Sequence, residues 1–177
     1  MLILASTSPR RKELLKKIRK DFVIVSPKIN ERDYHFDVFH YALELSRLKA
    51  YEVSSRYPNE SILACDTVVV LNNTIINKPK DNHDAKRILK LLSNKTHLVI
   101  SGYTYLNKNK EVNRQVITKV TFNKLSDELI NEYVSKGLAK GKAGAYGIQD
   151  AYPLVNHIDG SYYNVMGLPI EDIKRHI

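Results

Sequence analysis

The chain has 177 residues, 43% hydrophobic and 27% charged, the proportions of a globular protein large enough to bury a core without disulfides or metal staples. No apolar run approaches the roughly 20 residues that span a bilayer, and no basic stretch precedes the first apolar one, which argues against a membrane segment and a secretory signal. Cys65 stands alone, so an intrachain disulfide is excluded and a reducing, cytoplasmic compartment is expected; the net charge of +9 suits a polyanionic partner or simply solvated lysine-rich faces.

Taken in order, Leu2 to Ala5 reads as a buried strand. Ser8-Pro9 then opens a helix, with Ser8 as cap and Pro9 in the first turn, where its missing N–H costs nothing. Leu14, Leu15 and Ile18 share its inner face. Phe22 to Val25 is strand-like, and a second helix is predicted from Asp37 to Ser55 with Val38, Tyr41, Ala42, Leu45 and Leu48 as its buried stripe. Ile62 to Leu71 is nearly continuous and valine-rich, the pattern of a strand covered on both faces. Asn72-Asn73 turns the chain into Thr74 to Ile76, and a third helix covers Asp84 to Leu92. Thr96 to Leu106 and Val116 to Phe122 are two further strands, and Ser126 starts a helix that stops near Gly137. Alternating strands and helices predict a single α/β domain over residues 1–177 with a mixed sheet.

Four constellations carry chemistry. Residues 5–11 run from a strand through a turn to a helix start bearing Arg10 and Arg11. Free N–H groups there favour an anion, and positive side chains at that end are disfavoured until one arrives. A surface pair reaching solvent is the plain alternative. Asp66 lies inside the apolar run 62–71, where a carboxylate needs a partner, a metal or a catalytic role. Lys49 falls in the apolar stripe of its helix and must meet an anion or snorkel, with Glu52 as the nearest candidate to neutralise it. Last, six of the seven glycines lie at or beyond Gly137, three of them at Gly141, Gly144 and Gly147. They lower a wall beside Gln149, whose amide offers a donor and an acceptor to a base edge. No histidine has metal-ligand spacing, and Cys65 reads as a small buried residue.

The segments LASTSPRRKELL at 4–15, Asn30-Glu31, LKA at 48–50, CDTVVVL at 65–71, NKPKD at 77–81, THLVISG at 96–102, KAGAYGIQ at 142–149 and IDGSYYNVMGLP at 158–169 together resemble the Maf family of nucleotide pyrophosphatases. The resemblance implies an elongated mixed sheet flanked by helices, with an active-site cleft between two lobes, related to the inosine-triphosphate pyrophosphatases. It implies that Asp66 is the proton acceptor, that Glu31 and Asp66 hold a divalent cation (Mg²⁺ or Mn²⁺), and that Ser6, Arg10, Arg11, Lys49 and Lys78 bind the triphosphate. Arg11, Thr67 and Gln149 match the branch that prefers dTTP and UTP. The implied role is house-cleaning of the nucleotide pool with a link to cell-division arrest, and no membrane or stable nucleic-acid partner; a homodimer is left open. Departures stand at Ala64-Cys65, at Asn77 and at Leu138 to Gly141, the last removing two acidic groups. A basic nucleic-acid-binding or nucleotide-sensing regulator with little catalysis is the alternative, though no nucleic-acid-binding motif is present.

Overall fold

The computed structural model describes residues 1–177 and is organised about one long strand, β3 (Ser61–Leu71). One edge of β3 pairs antiparallel with β5 (Thr96–Asn107), which pairs with β6 (Lys110–Phe122), which pairs with β7 (Val155–Asp159). The other edge is shared. β1 (Leu2–Ala5) runs parallel to β3 as far as Ala64, and β4 (Thr74–Ile76) returns antiparallel from Val69 onward. Residues Cys65 to Val68 therefore have no partner strand on that side. With β2 (Val23–Val25) parallel to β1, the sheet has seven strands in the order β2-β1-β3-β5-β6-β7, with β4 also on β3.

The core divides at the same gap. An 18-residue cluster joins the far half of β3 to α3 (Asn82–Leu92) and α4 (Asp127–Ser135), with Phe122, Tyr133 and Tyr146 among its members. A 10-residue cluster joins β1 and the near half of β3 to α1 (Pro9–Lys16) and α6 (Ile170–His176). On the opposite face, α2 (Tyr41–Arg56) sets Ala50 and Val53 against Ile3, Ile62 and Ala64. Two lobes thus share the β3–β5–β6 sheet, with a cleft where β3 lacks a partner.

Several boundaries differ from the sequence reading. α2 begins at Tyr41 rather than Asp37, because the Asp37 carboxylate accepts the Phe39 N–H at 3.1 Å and contacts the His40 ring at 2.8 Å, capping a separate turn. Leu48 is only half-buried, and Ser46 and Lys49 take inward positions instead. β6 starts at Lys110, not Val116; its first residues are mostly exposed and carry no apolar alternation. Glu52 does not neutralise Lys49: it pairs with Arg56 at 2.7 Å and accepts the Lys28 N–H at 2.9 Å, facing the loop after β2.

Candidate active site

The β3 gap presents two adjacent polar side chains, and the pleat sends them to opposite faces. Asp66 follows Ala64 onto the face covered by α2, while Thr67 follows Cys65 onto the other face. On the α2 face, Lys49 Nζ lies 2.6 Å from Asp66 Oδ1 and 2.7 Å from Glu31 Oε1. Lys49 is 7% exposed. Burial alone would depress its ammonium, but Asp66 and Glu31 outweigh it and hold the group above the ordinary lysine value. Burial likewise pushes Glu31 up, yet Lys49, then Lys78 and Arg11, keep its carboxyl below the ordinary glutamate value.

This contact depends on how closely α2 approaches the sheet. Gly102 stands opposite Asp66 in the β3–β5 register, and a Cβ placed on it would lie 2.2 Å from Leu43 Cα. Only glycine lets the start of α2 sit there, which brings Lys49 two turns later over Asp66.

On the opposite face, α1 is capped by Ser8, whose side chain accepts the Arg11 N–H, and Ser6 Oγ accepts the Ser8 N–H at 3.1 Å. Arg11 is not a free surface cation. Its Nε donates to the Gly167 carbonyl at 2.9 Å and its Nη2 to Thr67 Oγ1 at 3.2 Å. Gly167 ends α5 (Tyr162–Met166) at φ 113, which turns that carbonyl toward the strand gap. Thr67 Oγ1 also contacts Ser101 Oγ at 2.8 Å, so its hydroxyl is held from two sides. Arg10 is half-buried, and burial first and Arg11 second hold its guanidinium below the ordinary arginine value. Two crowded guanidiniums at a helix start with no acidic residue in the first turn form a cationic site that favours an anion.

The glycine-rich segment closes the far side. Gly144, at φ 69, lets the chain pass Val69, whose Cγ2 is 3.0 Å from where a Cβ would stand. Gln149 beyond it is exposed, and Lys78 enters from the loop after β4. One cavity of about 700 Å³ is lined by Asp66, Glu31 and Lys49, by Ser6, Arg10 and Arg11, and by Thr67, Lys78 and Gln149, which are the nine catalytic, substrate-binding and metal residues expected from the sequence. It is continuous round the open edge of β3, so both faces of the strand drain into it. Arg32 and Tyr146 also line it. Arg32 carried no sequence signal, while Tyr146, Ser101 and Gly167 lie within the motifs that carry the family resemblance but were given no site role there. The departing segment Leu138 to Gly141 packs Ala139 into the core and brings Gly141, at φ 71, to the cavity wall.

A family model described as Maf-like protein matches residues 1–177. A relative from Pyrococcus furiosus, named dTTP/UTP pyrophosphatase, is 43% identical over 171 residues, spanning 96% of this chain and 90% of its own length. One from Pyrococcus abyssi with the same name is 46% identical over 172 residues, spanning 97% and 91%. Among solved structures, the Staphylococcus aureus Ham1 protein superposes with a TM-score of 0.50 at 13% identity, over 68% of this chain and 71% of that one. That likeness concerns the fold alone. With a full-length family match and relatives above 40% identity, the chain belongs to the Maf family.

Proposed function

We propose that the chain hydrolyses nucleoside triphosphates, dTTP and UTP foremost, to the monophosphate and pyrophosphate. One observation carries the reading: a carboxylate pair bridged by a buried lysine shares a single cavity with two arginines crowded at a helix start. Asp66 gives one oxygen to Lys49 and keeps Oδ2 for a water proton. That water forms a bond to the α-phosphorus as the bridging oxygen leaves with the pyrophosphate. Arg10, Arg11 and Lys78 take up the charge that develops on the departing group. The names of the relatives supply the pyrimidine preference, and we ascribe it to Arg11, Thr67 and Gln149, the residues to which the family resemblance points.

The residues fit a hard divalent cation. Glu31 and Asp66 each commit one oxygen to Lys49 and retain the other, and these two carboxylates are the whole protein donor set, since no group of three or more His, Cys, Asp or Glu gathers here or anywhere in the chain. Mg²⁺ is characteristically held by one or two carboxylates together with substrate phosphates. Bound there, Mg²⁺ or Mn²⁺ would neutralise charge on the phosphate oxygens. A cytoplasmic role in clearing surplus or non-standard pyrimidine nucleotides belongs to the same reading.

The test is pyrophosphate release from dTTP, UTP, CTP, ATP and GTP with Mg²⁺. The reading expects kcat/KM for dTTP and UTP to exceed that for the purines by about 10-fold or more. A purine preference, or orthophosphate as first product, would overturn it.

A further inference from the structure

The proposed function leaves unexplained a buried polar knot beneath the glycine-rich wall. Asp150 follows Gln149, and its Oδ2 accepts from Tyr133 Oη at 2.5 Å and from Lys142 Nζ at 2.8 Å. Tyr133 is fully buried on α4, and its oxygen in turn accepts the Gly147 N–H at 2.9 Å. The Lys142 and Asp150 side chains are 13% and 12% exposed, so this ion pair is largely withdrawn from water. One carboxylate therefore ties together both ends of residues 142–150 and fixes them to a helix in the core.

Gly147 shows how tightly the knot encloses the loop. A Cβ there would stand 2.8 Å from Asp150 Oδ2, 2.9 Å from Lys142 Nζ and 3.0 Å from Gln149 Nε2. The Gln149 amide is thus packed against the same spot as the ion pair, although its residue faces the cavity. Ala145 and Tyr146 already anchor the apolar side of the loop in the core; the knot fixes its polar end, residues 147–150, beside Gln149. Asp150 also acts on Arg10, whose charge it favours.

We propose that Asp150 is a positioning residue for base recognition: through Tyr133 and Lys142 it holds the loop that presents Gln149 to the nucleotide. This rests on the reading of the cavity as a nucleoside triphosphate site. It makes two expectations that part the base from the phosphates. Loss of the Asp150 charge loosens the base-reading wall and weakens nucleotide binding. It also removes a carboxylate near Arg10, so binding of a polyphosphate without a base does not weaken.

The experiment compares the parent, Asp150→Asn and Tyr133→Phe by calorimetric titration with UTP, GTP and inorganic tripolyphosphate, using Ca²⁺ in place of Mg²⁺ to slow turnover. Tyr133→Phe keeps the ring in the core and removes only the shared hydroxyl, so it serves if Asp150→Asn folds poorly. Expected is a fall of about five-fold or more in UTP affinity, a narrowed UTP-to-GTP ratio and unchanged or tighter tripolyphosphate binding. Parallel weakening of all three ligands would show a merely structural role, and an unchanged UTP-to-GTP ratio would equally overturn the proposal. Failure of the functional reading registers separately, as a parent that does not favour UTP over GTP.

Discussion

Lys49 shows how a charge can be buried and still serve a cleft. Taking an ammonium out of water costs several kcal/mol unless opposite charges surround it closely. Here two carboxylates do so, and one of them, Glu31, keeps its side chain 52% exposed at the mouth of the cavity. Asp66 is held in place by the same lysine with its second oxygen directed elsewhere. A different buried residue contributes to the loss of stability in mild acid. His97 is 1% exposed, lies edge-on to Phe122, and its Nε2 is 2.8 Å from Tyr146 Oη, while Nδ1 has no partner. Burial pushes its pKa down to about 4. The unfolded chain binds that proton first, so the contribution of His97 is complete above pH 6.5 and is lost as pH falls toward 4. About 3 kcal/mol of stability is expected to disappear across that window. Urea unfolding at pH 7 and pH 4.5 checks it: the parent should lose markedly more than His97→Gln, and equal losses would contradict the assignment. Asp66 and Lys49 were legible in the sequence because each is a charge inside an apolar pattern. Glu31 was legible only through resemblance, since a three-residue turn has no periodicity to interrupt. Asp150 was invisible, being one more polar residue in a loop.

At the scale of elements, the site depends on the seating of α2 against β5 opposite Asp66. Gly102→Ala should force the helix outward, because its Cβ would meet the Leu43 backbone at 2.2 Å and backbone cannot swing aside. Overpacking of this kind costs about 1–3 kcal/mol, which in a domain of this size lowers the melting temperature by about 3–10 °C. Turnover should fall with it as Lys49 withdraws from Asp66. A variant melting with the parent would show that α2 is not pinned there. Elements that bury one face clearly were readable: β1, β3, α3 and α4 lie close to where periodicity and capping put them. The first half of β6 was not, because Val112 is the one apolar residue from Lys110 to Gln115, and the rest are polar side chains held by backbone pairing and by polar contacts such as Thr104 Oγ1 to Asn113 Oδ1 at 2.8 Å. β7, α5 and α6 run five to seven residues, too short for a period to emerge, yet α5 delivers the Gly167 carbonyl that binds Arg11.

At the scale of the molecule, a mixed sheet with one edge of one strand left open for four residues produces a cleft with unlike chemistry on its two faces. The carboxylates and Lys49 stand on the α2 face, and Arg11 with Thr67 on the α5 face. A triphosphate laid across the open edge of β3 would meet both at once. The surplus of nine positive charges gains meaning from the arginines and lysines that this cleft concentrates, while most of the remaining lysines are exposed. No helix is long and apolar enough to cross a membrane. The central claim is that water activated at Asp66 attacks the α-phosphorus. Hydrolysis of UTP in ¹⁸O-enriched water with Mg²⁺, followed by mass spectrometry of both products, tests it directly, with Asp66→Asn run in parallel. The account predicts one ¹⁸O in UMP and none in pyrophosphate, and a rate about 1,000-fold lower in the variant. Label in the pyrophosphate, or a variant within about tenfold of the parent, would contradict it.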